Sequence, residues 1–354
     1  MAKQVVRVLT LAGFLLAGLT LAAIFARGAG PSAQRISFVI ATGPTGGTYF
    51  PIGEAIAGII SHPPGVYRCE RAGVCGPSGL IASVKTSQGA VSNVLAVNAG
   101  TVAAGFAQSD VVREAVAGKG AFRRSGPQKN VRILADLFPE EVHLIAAKNT
   151  HIKSVSDLKG KRVGIGADHS GTIVTARAIL SAYRISLAHL RVSNDPYDVA
   201  AEKLTKGQLD AMFFVGGAPV PLVRELLANG HAVPVPIADK GRKQLLARDT
   251  ALSAMTIPAG VYPDTGPIET VGVDALLVVN NAEPDWLIYG INKALFNPAN
   301  RAALAGSHRA AQSIRVAGAA SDLPAPLHPG AARYFAEIGK LPKGARESAG
   351  LGKP

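Results

Sequence analysis

Ile36 to Ile60 reads ISFVIATGPTGGTYFPIGEAIAGII, and its three parts decide the fold class. Ile36 to Ile40 is a β-branched apolar run, the mark of a buried strand. Thr42 to Thr48 breaks that run with Gly43, Pro44, Gly46 and Gly47. Beyond it, Ile52, Ile56, Ile59 and Ile60 fall on one helical face. A strand that passes into a helix through a glycine loop presents the first backbone N–H groups of that helix. They have no intrahelical partners and sit at the positive end of the peptide dipoles, so the turn favours an anion. The Thr45 and Thr48 hydroxyls can add hydrogen bonds beside Gly46, Gly47 and Tyr49. An ordinary strand-to-helix turn accounts for the same stretch equally well, so other segments must decide between the two.

Two later segments repeat the pattern. Val102 to Gln108 reads as a strand ending in Gln108-Ser109-Asp110, ahead of the helical run VVREAVAG. A polar triplet at such a hand-over is where open α/β sheets contact ligands, and Ser109 or Asp110 also suits a helix N-cap. RVGIGADHSGT, from Arg162 to Thr172, is strand, glycine loop and helix start, with Ser170, Gly171 and Thr172 forming a second cradle. The strand Met212 to Val215 ends at Gly216-Gly217, where backbone can close on a ligand, with Phe213 or Phe214 as a wall or as core. Val131 to Leu137, Glu141 to Ala147 and Val271 to Val279 read as strands, and the last two are candidates to cross between lobes.

The 354 residues suffice for two lobes, and the modest charge with high apolar content indicates a globular chain. The formal charge is +13, but Lys3, Arg7 and Arg27 lie in the first 33 residues, leaving 34 bases against 24 acids, a net of +10. Those bases are scattered, which suits attraction of small anions better than nucleic acid. Residues 1–33 join a basic head to an apolar run, Val8 to Ala26, and a small-residue region, as in an export signal or a retained N-terminal anchor. The expected location is therefore periplasmic. Cys69 and Cys75 have five residues between them; in an oxidising compartment a disulfide is the natural reading, since neither a zinc ligand set nor a redox spacing is present.

No motif points to catalysis. Gly166 to Thr172 lacks the lysine of a phosphate loop, and Gly164-x-Gly166 lacks the third glycine of a dinucleotide fingerprint. Consecutive Asp168-His169-Ser170 cannot form a relay. His143, His151, His169, His189 and His231 are dispersed, and neither metal nor cofactor is expected.

TGPTGGTYFPIGEAIA, Thr42 to Ala57, closely resembles the opening signature of the TAXI family, the solute-binding subunits of one class of tripartite ATP-independent periplasmic (TRAP) transporters. The likeness continues through GFAQSDVVREAVAG, EEVHLIAAKNTHIKSVSDLKGKRVGIGADHSGT, LDAMFFVGGAP, IPAGVYP, TVGVDALLVV and PLHPGAARYF. It implies an α/β fold like type II periplasmic binding proteins: two α/β lobes, two crossing segments and a central cleft. Lobe I would comprise 34–141 and 272–340, lobe II 142–271, and a flexible tail 341–354. It implies a non-enzyme that hands a small organic anion, such as glutamate, 2-oxoglutarate or a dicarboxylate, to a TRAP-type membrane permease. Carried over by position, the ligand-binding residues are Gly46, Gly47, Thr48, Tyr49, Gln108, Ser109, Asp110, Ser170, Gly171, Thr172, Phe214, Gly216 and Gly217. The loop hydroxyl of Thr45 joins them, and the two helix starts would hold a carboxylate without a dedicated arginine, with Arg177 or another base as an optional aid. Cys69 to Asn93 departs from the family pattern, with TSQGAVSN in place of a Ser-Thr-Gly-Gly-Ser-like turn, which leaves open whether the Thr86 to Asn93 turn, with Thr86, Ser87 and Gln88, contacts ligand. The competing classes are an enzyme on the same scaffold and a ligand-sensing receptor lobe.

Overall fold

A computed structural model describes residues 35–71 and 73–342. The expected export segment, 1–33, and all but the first two residues of the expected tail lie outside the described residues. From Ser37 onward the elements below belong to one compact unit.

Two long strands organise that unit. β4 (Val131–Ala147) and β10 (Ile268–Asn280) run antiparallel, from Gly272 opposite Glu141 to Asn280 opposite Val131. The sequence reading divides the first of these at Pro139, but the structure makes it one 17-residue strand. Proline has no N–H for a ladder and is tolerated where pairing is irregular. Pro139 lies opposite Asp274, one position from a register shift between Ala275 and Leu276.

β1 (Ile36–Ala41), β2 (Leu80–Lys85) and β3 (Ala104–Gln108) join one edge of this pair, while β5 (Arg162–Gly164), β6 (Arg191–Ser193) and β7 (Ala211–Gly216) join the other. The sheet order is β2-β1-β3-β10-β4-β7-β5-β6. β8 (Ala232–Val235) pairs with the end of β4, and β9 (Ser253–Ile257) with the start of β10. β1 runs parallel to β3, and β5 runs parallel to β6 and β7; β10 against β3 and β4 against β7 are antiparallel.

The helices follow the apolar periodicity. α1 (Tyr49–Ile60) buries Ile52, Ile56, Ile59 and Ile60, at about 1.5–3 kcal/mol for each fully buried side chain. α2 (Ala90–Asn98) and α3 (Ser109–Ala117) flank β3, and α4 (Gly171–Ala182) follows β5. α5 (Tyr197–Thr205), α6 (Pro221–Ala228) and α7 (Asp239–Arg248) come next, then α8 (Asp285–Leu295), α9 (Arg301–Ser307) and α10 (Pro329–Glu337). One core cluster joins Ile145, Leu204, Met212, Val223 and Tyr262. The expected helix start at Ser154 is present as a capping box with Asp157, on a single 3-10 turn, Val155–Leu158. Cys69 and Cys75 are bonded to each other in the loop after α1. Among the described residues no helix is long and apolar enough to cross a membrane.

Candidate functional site

The loop after β1 is fixed from below. Thr42 is fully buried; its hydroxyl donates to the Lys85 carbonyl at 3.0 Å, and its own carbonyl accepts from Ser87 Oγ at 2.9 Å. Thr48 then takes the N-cap position of α1 but caps nothing with its side chain. Its hydroxyl oxygen is buried with no hydrogen-bond partner. Tyr49, the first residue of α1, stacks on Phe106 with ring centroids 4.9 Å apart and donates its hydroxyl to Glu140 Oε2 at 2.6 Å.

The loop after β5 is bonded differently. Gly166 holds φ +97°, and a Cβ there would meet Thr172 Cβ at 2.8 Å, so glycine is required twice over. Ser170 caps α4: its Oγ accepts from Ile173 N at 3.3 Å and donates to the Ala167 carbonyl at 2.7 Å. Thr172 Oγ1 accepts from Val215 N at 3.3 Å, which ties the loop to β7. Gln108, at the end of β3, lies against this helix start: a Cβ on Gly171 would fall 1.6 Å from Gln108 Oε1, a buried oxygen without a partner.

Both helix starts open onto one cavity of about 210 Å³, smaller than the ~300–1,000 Å³ of drug-sized sites. Of the expected residues, Gly47, Thr48, Tyr49, Gln108, Ser170, Gly171, Thr172 and Phe214 line it, joined by Phe213. Thr45 and Gly46 do not line it; both are exposed, and the Tyr197 hydroxyl lies so close that a Cβ on Gly46 would meet it at 2.5 Å. Ser109 is buried away from the cavity, donating to the Ala251 carbonyl and accepting from Asp274 N, each at 3.1 Å. Asp110 is likewise spent within the protein, accepting from Val111 N at 2.7 Å and from Thr175 Oγ1 at 2.6 Å. Gly216 and Gly217 stay outside the lining and pack on Thr48; a Cβ on Gly216 would approach Thr48 Oγ1 to 3.0 Å. Arg177 is exposed on α4 and takes no part.

The turn left open, Thr86 to Asn93, supplies Ser87, Gln88, Gly89 and Ala90 to the lining, and sequence reasoning missed Gly43, Pro44, Glu140, Gly166, Ala167, Pro196, Tyr197 and Val215. Gly89 carries the clearest signal of these: a glycine in a polar turn, here at φ +119° with space for a Cβ only 3.4 Å from Ser170 Cα.

Among the described residues the lining contains no lysine, arginine or histidine, and Glu140 is its one carboxyl group. Burial pushes Glu140 up to about 8; the Tyr49 bond opposes this, while Glu141, Asp110 and Asp274 add to it. Burial also raises Asp110 to about 7 against its bonds from Thr175 and Val111. His143 is buried outside the lining, bonded through Nε2 to the Tyr262 hydroxyl at 2.7 Å and held at about 4 by burial.

A family model described as NMT1-like matches residues 40–339. The chain belongs to the NMT1-like family. Among solved structures, this NMT1-like chain is similar to MatC of Rhodopseudomonas palustris with bound malate, at 14% identity and TM-score 0.50 over 83% of this chain and 90% of that one. That likeness shows the fold, an α/β binding-protein fold of type II. Weaker likenesses are to the alkanesulfonate-binding protein SsuA of Xanthomonas axonopodis pv. citri bound to MOPS (14% identity, 88% and 96% covered, TM-score 0.46) and to the GluR0 ligand-binding core of Nostoc punctiforme with L-glutamate (18%, 76% and 96%, 0.43).

Proposed function

We propose that this chain is an extracytoplasmic solute-binding protein that captures a small organic acid and delivers it to a membrane permease. The TAXI-like phrases support a TRAP-type permease as the partner, and the apolar N-terminal segment supports export to the periplasm. On this reading β4 and β10 are the two crossing segments, and the lobes divide at 141/142 and 271/272.

One observation carries the reading: two helix starts, at Thr48 and Ser170, face one small cavity in which the Thr48 hydroxyl is buried without a partner. An unsatisfied buried hydroxyl costs about 1–3 kcal/mol, a cost a ligand oxygen would relieve. Glycine at 47 and 171 lets a carboxylate approach the first-turn N–H groups, where the dipoles favour it.

Thermal unfolding of the exported chain against organic acids, neutral sugars and amines tests the proposal. Ligand at a hundred times its dissociation constant adds about 2.7 kcal/mol of stability, a visible rise in Tm. The expected result is a rise confined to one or a few carboxylates. A rise only with sugars or amines would overturn the acid assignment, and product formation from a bound acid would overturn the non-enzyme assignment.

A further inference from the structure

The cavity walls differ in what they offer. At α4, the Gly171 and Thr172 backbone N–H groups stand in the first turn of a twelve-residue helix, a donor wall suited to a carboxylate. Beside Tyr49 the wall instead offers Glu140, whose carboxyl group accepts a hydrogen bond from the Tyr49 hydroxyl. The titratable groups that bear on Glu140 are Tyr49 from α1, Asp110 from α3, Glu141 from its own strand and Asp274 from β10. None is a cation, and the lining supplies none. Tyr49, Tyr197 and Phe214 also line the cavity, and aromatic rings attract cations.

We propose that Glu140 receives a protonated amine of the ligand, so that the cargo is an amino-group-bearing carboxylic acid. This rests on the cavity being the solute site. A second ligand carboxylate could meet Glu140 only while that group keeps its proton, and the lining offers no cation to offset the pair once the proton is lost; an ammonium group pairs with the Glu140 carboxylate directly. Burial holds Glu140 at about 8, so at neutral pH the empty cavity keeps the proton on the carboxyl group. An arriving ammonium favours the carboxylate, and one proton leaves. Affinity therefore rises with pH up to about 8, by as much as roughly tenfold per unit.

Isothermal titration of the whole chain tests this with glutamate, glutamine and alanine and their deaminated counterparts glutarate, glutaramate and propionate, at pH 6, 7 and 8 in buffers of different ionisation enthalpy. The expected result is at least tenfold preference for an amino acid over its counterpart, proton release at pH 7, and an affinity gain of about tenfold from pH 6 to 7. Glu140→Gln should remove both the proton release and the pH dependence. Tyr49→Phe, which deletes only the hydroxyl, should move the midpoint of that dependence upward. A deaminated acid or a 2-hydroxy acid that binds as tightly as the amino acid overturns the amine assignment and leaves the solute site standing, as does proton uptake on binding. Binding of amines or sugars with no carboxylate of either kind overturns the acid reading itself.

Discussion

The two glycine loops do the same job in outline and differ in how much of their bonding is already used. At α4, Ser170 caps the helix and Thr172 holds the β7 backbone, so the loop is complete without a ligand. At α1, Thr48 occupies the capping position but its hydroxyl caps nothing and finds no partner. One loop is a rigid seat; the other keeps a polar group in reserve. Preorganisation lowers the cost of ordering on binding, and a reserved group supplies bonding only when ligand arrives. Each loop also stands over a buried acid: Thr175 of α4 donates to Asp110, and Tyr49 of α1 donates to Glu140.

Those two acids give the largest expected effect, on pH dependence. Both have folded pKa values above the unfolded ones, about 7 for Asp110 and about 8 for Glu140 against roughly 4 in an unfolded chain. The folded protein therefore keeps protons that the unfolded chain has lost. Their stabilising contribution is fully present below about pH 4 and is lost as pH rises through 7 and 8. Tm should be several degrees higher near pH 5 than at pH 8.5. Asp110→Asn should reduce the slope of the part of the curve up to about 7, which Asp136, raised to about 7 by burial, shares, and Glu140→Gln should remove the part that extends to 8. A flat curve in the parent protein would break the parallel between the two acids.

Removing the two hydroxyls tests the loops directly. Ser170→Ala deletes a working cap and should lower stability by about 1 kcal/mol in urea titration, with or without ligand. Thr48→Ala deletes a buried, unbonded hydroxyl and the cost of about 1–3 kcal/mol that goes with it, set against the loss of a packed methyl group, so the free protein should be no less stable than the parent. Its ligand affinity should fall by roughly five- to tenfold, the worth of one hydrogen bond. If Thr48→Ala destabilises the free protein as much as Ser170→Ala does, the distinction between a seat and a reserve fails.

The sequence made the local units legible and left their assembly obscure. Strand, glycine loop and apolar helix face are written into Ile36 to Ile60, and the strand-to-helix turn at Gln108 is found where the polar triplet puts it. Eight of the fourteen expected site residues line the cavity, Phe214 from within β7 and seven because they sit where a strand meets a helix. Ser109 and Asp110 share that position, but their side chains point into bonds with Asp274 and Thr175, contacts that span 165 and 65 residues. Glu140 escaped notice for a related reason. Beside Pro139 it reads as a strand boundary, and only the unbroken course of β4 carries its carboxyl group under Tyr49. Tyr197 likewise follows a proline in an unremarkable turn, and its place over Gly46 depends on tertiary packing alone.

The position of β10 in the sheet also has a consequence for the order in which the chain can be assembled. It lies between β3 and β4, yet it is made more than a hundred residues after either. As the polypeptide becomes available from its N-terminal end, β3 and β4 must wait for the strand that separates them, each with an open edge. A chain that stops before Ile268 lacks the middle of its own sheet, so the two sides of the molecule cannot mature one after the other. The native form is reached late, when nearly the whole sequence is present.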